Sequence, residues 1–195
     1  MPIFFDYEDD CGSLSKFLTS VFSVYSHCRI NNTEFFLNIT HPIGVYFKNN
    51  LKEPQKYNQR FKYLRGETMN TISRFLDWYP KTKVRLVSNL CFLEYNQMKP
   101  YFQDFLELIQ PTDEIENRIK ELTKDFPEVY SSACINSKQE KILNLNEEFV
   151  VFYSDNLETK DPLDEIAEFF IINRADKIYH LECCGSCLNY ITTLV

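Results

Sequence analysis

The chain has 195 residues, of which 44% are hydrophobic and 25% are charged, and its formal net charge is −7 at neutral pH. These are ordinary values for a globular protein, and the length allows one substantial core or two smaller ones. The acidic balance argues against duplex DNA or an anionic membrane surface as a partner, since both require positive charge facing phosphate groups. No nucleic-acid partner is therefore expected.

The sequence contains no visible targeting or membrane segment. It begins MPIFFDYEDD, an acidic stretch whose apolar run is too short for a signal peptide. Nothing approaches the roughly 18 uninterrupted apolar residues of a membrane helix. The seven cysteines are scattered along the chain, and most are expected to be reduced and buried. A cytoplasmic protein is expected, and the abundant Asn, Ile and Lys are typical of an AT-rich genome, such as that of a large DNA virus or a protist.

The opening of the chain predicts a strand, a turn and a long helix. An apolar strand covers residues 2–6 and runs into the acidic residues 6–10. Gly12 and Ser13 then open a helix whose apolar residues recur at helical spacing as far as Tyr25. Ser13 is suited to cap this helix.

The next stretch predicts two more strands with helices between them. The strands are expected at residues 34–39 and 83–90, and the helices near residues 57–64 and 68–78. The basic and aromatic run that overlaps the first of these helices is interpreted as a solvated helix face or loop rather than an RNA site. His41, which precedes Pro42, is interpreted as a loop residue that could also serve as a base.

A change of pattern in the middle of the chain indicates two lobes. Apolar residues recur at helical spacing up to Gln110, and Pro111 and Thr112 start a further helix, with Thr112 as its expected N-cap. The predicted division gives a reduced α/β lobe at residues 1–95 and a Rossmann-like lobe at residues 96–195.

The last third of the chain predicts three strands and two helices. The expected elements are strands at residues 128–135, 149–153 and 177–182, a helix at residues 163–173, and a turn at residues 184–187 that enters a final helix. Polar residues follow the strands, as an open α/β sheet requires if it binds a nucleotide at its carboxyl edge. The predicted fold class is therefore α/β, with Rossmann-like parallel sheets and flanking helices in a reduced two-lobed architecture.

The order of these elements resembles the fucosyltransferase-like glycosyltransferases of GT-B fold, which include protein O-fucosyltransferases and α-1,2- and α-1,6-fucosyltransferases. Residues 108–115 (LIQPTDEI) are similar to a segment that precedes the second domain of that family. Ser154-Asp155-Asn156 stands where the family has Thr-Asp-Ser, and Cys184-Gly185-Ser186-Cys187 matches its Gly-Ser turn in order and spacing. The resemblance implies a guanosine diphosphate sugar as donor, with a glycan or protein as acceptor.

The resemblance also implies the residues of a nucleotide-sugar site. Asp155 is expected to accept hydrogen bonds from the ribose or the base, and Ser186 to donate to a phosphate at the start of the last helix. Asp9 and Asp10, which lie beside Gly12 in the sequence, are interpreted either as general bases for an acceptor hydroxyl or as part of a solvated acidic loop. The other residues expected to line the site are Gly12, Cys134, Asn136, Ser154 and Gly185. No cofactor is expected, and no metal site is indicated because the sequence contains no Asp-x-Asp.

One departure from the family predicts weak or lost catalysis. Asn136 stands where the family places the arginine that contacts the diphosphate, and Cys134 stands where it has a histidine. A charge-assisted hydrogen bond contributes about 1.5–3 kcal/mol, roughly twice as much as a neutral one. Lys138 and Arg174 are the candidates to replace the charge, although Arg174 is expected to end its helix. The alternative is a non-catalytic binding or scaffold protein with the same fold.

The carboxyl-terminal cysteines leave two further alternatives open. Cys184 and Cys187 at a strand-to-helix turn are the right context for a redox pair. Cys183, together with these two and His180, could contribute to a zinc site, although no second Cys or His pair completes it. Small residues at a tight turn explain the run more simply.

Overall fold

The computed structural model describes residues 3–7, 14–39, 41–48, 62–65, 74, 84–87, 93, 95–135, 149–153 and 161–180. The chain separates into two compact units, Met1–Gln110 and Pro111–Val195. The division therefore falls after Gln110, whereas the sequence analysis drew it after residue 95. No helix among these residues is long and apolar enough to cross a membrane.

The structure gives the bounds of four strands and three α-helices in the first unit. They are β1 (Ile3–Tyr7), α1 (Leu14–Ile30), β2 (Phe35–Ile39), β3 (Lys62–Arg65), β4 (Val84–Val87), α2 (Tyr95–Met98) and α3 (Phe102–Leu108), with short 3-10 helices at Pro42–Tyr46 and Lys99–Tyr101. The strands form one sheet, the first sheet, in the order β2-β1-β4-β3, and every pairing in it is parallel. All five residues of β1 are buried, as expected for an inner strand of a parallel sheet.

Aromatic packing joins α1 to the first sheet and to α3. The Tyr7 ring on β1 meets the Phe17 ring edge-on, with 4.9 Å between the ring centroids. Phe22 stacks on Phe105 at 4.7 Å and meets Phe102 edge-on at 5.5 Å. These side chains are almost completely buried and form the core of the first unit.

The expected helix near residues 57–64 is wrong in its last part, because Lys62–Arg65 is strand β3. This strand pairs with β4 at the edge of the first sheet. Charged residues at both of its ends suit an edge strand, since they discourage pairing with another chain. The same charged residues gave the segment the composition of a solvated helix, which is why a helix was predicted there. Within the expected helix at residues 68–78, the structure describes only Arg74, which is helical.

The second unit contains two α-helices and three strands among its described residues. They are α4 (Asp113–Leu122), β5 (Ser131–Ile135), β6 (Phe149–Tyr153), α5 (Pro162–Asn173) and β7 (Lys177–His180). The strands form the second sheet in the order β6-β5-β7, again with parallel pairing throughout. The predicted fold class of parallel sheets with flanking helices is confirmed.

Two local expectations in the second unit are corrected. Strand β5 begins at Ser131 rather than at residue 128. Just before it, the carbonyl oxygen of Tyr130 accepts from the N–H of Asp176 at 3.0 Å, and the hydroxyl of Tyr130 donates to the carbonyl oxygen of Ile171 at 2.6 Å. Thr112 occupies the N-cap position of α4, but its hydroxyl forms no capping hydrogen bond. Acidic residues in the first turn of α4, Asp113 and Glu114 among them, complement the helix dipole there.

Gly44 lies in the 3-10 helix that follows β2 and packs closely against the end of that strand. A Cβ atom at this position would lie 2.8 Å from Ile39 Cγ2 and 3.0 Å from the Ile39 carbonyl oxygen. Because such overpacking costs about 1–3 kcal/mol, Gly44→Ala is expected to lower the free energy of unfolding by that amount, measured by urea denaturation.

The neighbouring residue supplies the control. Val45 is 68% exposed, so Val45→Ala is expected to change the free energy of unfolding by less than about 0.5 kcal/mol. Equal effects of the two substitutions would show that the close approach of Gly44 to Ile39 does not constrain the turn.

Candidate functional site

The three strands of the second sheet end at one edge. Ile135 and Tyr153, the last residues of β5 and β6, are register partners, and Cys134 on β5 is the partner of His180, the last residue of β7. Ligands of open α/β sheets bind outside the carboxyl ends of the strands. The predicted parallel pairing of these strands is confirmed, and this edge is the candidate site.

The residues predicted to line that edge lie almost entirely outside the described part of the chain. Cys134 is in β5, and Asn136 and Ser154 follow the last residues of β5 and β6 directly in the sequence. The predicted site residues outside the described ranges are Asp9, Asp10, Gly12, Asn136, Ser154, Asp155, Gly185 and Ser186. Their roles therefore stay predictions, as do those of Lys138, Cys183, Cys184 and Cys187.

Arg174 is at the opposite edge of the second sheet, so it does not replace the missing arginine. It is the C-cap residue of α5 and comes just before Lys177, which pairs with Ser131 at the start of β5. The five residues of β5 span roughly 13 Å at about 3.3 Å per residue, and this length separates the two edges. The expectation that Arg174 ends its helix is confirmed, and the suggestion that it serves the diphosphate is wrong.

The contacts of Arg174 explain its position. Its guanidinium donates two hydrogen bonds to the carboxylate of Glu116 on α4, at 2.6 Å and 3.0 Å. The same group lies 5.7 Å from the centre of the Phe170 ring. This bidentate pair holds the Arg174 guanidinium between α4 and α5, away from the candidate site.

Arg118 forms the second link between α4 and α5. Its Nε donates to Oδ1 of Asp164 at 2.7 Å, and its Nη1 donates to Oε2 of Glu121 at 3.0 Å. The hydrogen bond to Asp164, followed by that to Glu121, raises the pKa of the Arg118 guanidinium. This cation is therefore also paired with carboxylates.

The carboxyl edge of the first sheet carries polar residues, of which the sequence analysis gave Asp6 no role and interpreted His41 as a loop residue or a possible base. Asp6 on β1 is 3% exposed and accepts a hydrogen bond from Nδ2 of Asn38 on β2 at 2.9 Å. His41 follows β2, and its backbone N–H donates to the carbonyl oxygen of Tyr7 at 3.0 Å. The signals available in the sequence were the first aspartate of the acidic run and the His-Pro pair after the strand.

Cys28 shows what burial does to a thiol in this protein. It is a free cysteine within α1, and desolvation raises its pKa to about 12. Such a thiol is almost fully protonated near neutral pH and is a poor nucleophile. The expectation of a reduced, buried cysteine is confirmed at this position.

Comparison with known proteins supports the fold through structure rather than sequence. No family model matches the chain, and no curated protein matches it. A mutant of Arabidopsis thaliana FUT1 in complex with GDP superposes with a TM-score of 0.64 at 9% identity, covering 98% of this chain and 68% of that one.

Structures of the α-1,6-fucosyltransferase NodZ match as well. The form soaked with GDP-fucose has a TM-score of 0.56 at 9% identity, covering 98% of this chain and 91% of that one. The form co-crystallized with GDP has the same TM-score and identity, covering 99% and 92%. The chain therefore has a fucosyltransferase-like GT-B fold, as its motifs predicted.

The Glu116–Arg174 pair is expected to stabilise the second unit. A double-mutant cycle with Glu116→Gln and Arg174→Gln should give a coupling energy of about 0.5–1 kcal/mol, because the pair is bidentate but partly exposed. Urea denaturation of the four variants measures this energy.

The pair Lys124–Asp125 is the matched control for this cycle. Its atoms are 3.9 Å apart and its side chains are 73% and 85% exposed, so its coupling energy should be close to zero. A Glu116–Arg174 coupling no larger than that of the control would contradict the role given to Arg174.

Proposed function

We propose that this protein binds a guanosine diphosphate sugar at the carboxyl edge of the second sheet, and that its sugar-transfer activity is weak or lost. The observation that carries the proposal is the parallel order β6-β5-β7, which brings the ends of three strands to one edge. Further support comes from solved structures of the same fold, which were obtained with GDP or GDP-fucose.

Each predicted site residue has a chemical role in the proposal. Asp155 accepts hydrogen bonds from the ribose or the base, because acidic groups at such an edge bind hydroxyl groups. Ser186 and the backbone N–H groups of its turn donate to a phosphate. Asp9 or Asp10 withdraws the proton of an acceptor hydroxyl. The remaining residues of this edge are Cys134, Ser154 and Gly185.

Weak transfer follows from the charge on the leaving group. A departing diphosphate is stabilised by cations, and the arginine of the resembling family corresponds to the neutral Asn136. Arg174 pairs with Glu116 at the amino edge of the sheet, so it does not compensate. A neutral donor contributes about half as much free energy per hydrogen bond as a charged one. The transition state is therefore less stabilised when only neutral donors contact the diphosphate.

The second candidate function is a non-catalytic binding or scaffold protein of the same fold. The pairing of Arg174 with Glu116 favours it, because one candidate replacement for the missing charge is absent from the site. Measurable transfer of sugar from GDP-fucose to any acceptor would establish a weak transferase and exclude the non-catalytic candidate.

Millimolar GDP is expected to raise the melting temperature of the protein in a thermal-shift assay. A ligand that binds only the native state at 100 times its Kd contributes about 2.7 kcal/mol, and each kcal/mol raises the melting temperature by about 2–4 °C in a chain of this size. UDP should produce a smaller rise.

Substitution of Asp155 tests whether the shift comes from the proposed edge. Asp155→Ala is expected to abolish the GDP shift, whereas Asp125→Ala, at a position whose side chain is 85% exposed, should leave it intact. The nucleotide proposal fails if GDP leaves the melting temperature of the wild-type protein unchanged. A shift that persists in Asp155→Ala would place the nucleotide elsewhere.

Asn136→Arg is expected to tighten the binding of GDP about tenfold, since replacing a neutral donor with a charged one adds about 1–1.5 kcal/mol. Isothermal titration calorimetry measures the change. Asn117→Arg is the matched control, because it adds the same charge at an exposed position on α4 and should change the Kd less than about twofold. Equal effects of the two variants would contradict the position given to residue 136.

A further inference from the structure

Strand β2 forms one edge of the first sheet, and β3 forms the other. The sheet order is β2-β1-β4-β3, and among the described residues no strand lies beyond either edge. An edge strand presents backbone N–H and C=O groups that can pair with a strand of another chain. The two edges of the first sheet are therefore surfaces on which strand pairing can continue.

The backbone groups of β2 point alternately towards β1 and away from it. Ile3 on β1 is the register partner of Phe35, and its N–H donates to the carbonyl oxygen of Glu34 at 2.8 Å. In a parallel ladder, this bond places the N–H and C=O groups of Phe36 and Asn38 towards β1 as well. The outward-facing groups are those of Phe35, Leu37 and Ile39.

Strand β2 has none of the features by which proteins protect an open edge. Its sequence, FFLNI, contains no charged residue and no proline, and its five residues pair with β1 without a bulge. Charged side chains, prolines and bulges are the usual means of preventing further pairing. Phe35, Phe36 and Ile39 are only half-buried, so apolar surface remains accessible along the strand. An edge of this composition favours coverage by another strand.

Charge distinguishes β2 from β3 as a surface for pairing with a second copy of the chain. Two copies of β3, paired antiparallel across a twofold axis, would place Lys62 of each opposite Arg65 of the other, and these like charges repel. Two copies of β2 bring no charged residue into the pairing. With the axis at Leu37, Phe35 lies opposite Ile39 of the second copy, and the outward-facing groups of both strands match as hydrogen-bonded pairs.

We propose that two copies of this chain associate through β2, paired antiparallel across a twofold axis at Leu37. The pairing joins the two four-stranded sheets into one continuous sheet. Both copies use the same surface, as a twofold interface requires. One pair of short strands gives a small interface, so the association is weak and depends on protein concentration.

Sedimentation velocity of the full-length chain between about 5 and 200 µM tests the association. The wild-type protein is expected to shift from monomer to dimer over this range. Phe35→Lys should weaken dimerisation at least about tenfold, because the symmetry places the substitution in the interface twice. Val129→Lys is the matched control, since it adds the same charge in place of a 69% exposed apolar residue of the second unit, and it should change the dimer Kd less than about twofold.

A protein that stays monomeric throughout this range would overturn the inference. Equal weakening by Phe35→Lys and Val129→Lys would also overturn it, because the dimer would then form elsewhere or through net charge.

The direction and register of the pairing are tested by combining Phe35→Lys with Ile39→Glu in one chain. Residues 35 and 39 are about 13 Å apart along β2, so they form no ion pair within one copy. Across the twofold axis, each lysine lies opposite a glutamate of the second copy. Each single variant is expected to weaken dimerisation, and the double variant should return to within about threefold of the wild-type Kd. Failure of the folded double variant to recover, with folding checked by circular dichroism, would overturn the antiparallel pairing.

Amide hydrogen exchange in the wild-type protein tests the same edge without any substitution. The outward-facing N–H groups of Phe35 and Leu37 are expected to gain protection as the concentration rises, because they become hydrogen-bonded in the dimer. The N–H groups of Phe36 and Asn38 point towards β1 and should show no such change. Concentration-dependent protection that omits Phe35 and Leu37 would overturn the inference. None of these measurements involves GDP, so the inference and the proposed function fail or succeed separately.

Discussion

Parallel hydrogen bonding on both sides of β5 is the constraint on which the second unit depends. Because β6 and β7 run in the same direction as β5, their carboxyl ends reach one edge, and α5 must return the chain to the other edge between β6 and β7. This return places Asp161, the N-cap of α5, towards the carboxyl edge and Arg174 at the amino edge. The direction of three short strands thus determines which polar residues can reach a ligand.

The second unit uses its described arginines to join helices. Arg118 links α4 to the start of α5 through Asp164, and Arg174 links α4 to the end of α5 through Glu116. Partly exposed pairs of this kind contribute modest stability, but each also commits a guanidinium that a diphosphate site would need. This use of charge supports the proposal that the transfer chemistry is weak.

Periodicity in the sequence predicts the elements that have long apolar patterns. It fails for segments whose secondary structure is determined by pairing with a strand that is distant in the sequence. The bounds of β6 and α5 agree with their apolar spacing to within one residue, whereas α1 starts at Leu14 as predicted but continues to Ile30, beyond the apolar pattern that ends at Tyr25. Strand β3 was missed because only its pairing with β4 makes the charged segment Lys62–Arg65 a strand. The hydrogen bond that Nδ1 of His41 accepts from the Ile43 amide also depends on the local turn, in which the N–H of Gly44 donates to the carbonyl oxygen of His41. The family motifs predicted the fold correctly, although the chain is only 9% identical in sequence to the solved structures that share this fold.

Hydrogen exchange measured by mass spectrometry with and without GDP tests most directly whether one strand edge forms the nucleotide site. Segments ending β5, β6 and β7, near residues 134–137, 153–156 and 180–186, are expected to gain protection together, because a ligand bound across the edge suppresses opening at all three. Protection confined to any one of these segments, or found only in the first unit, would contradict the account.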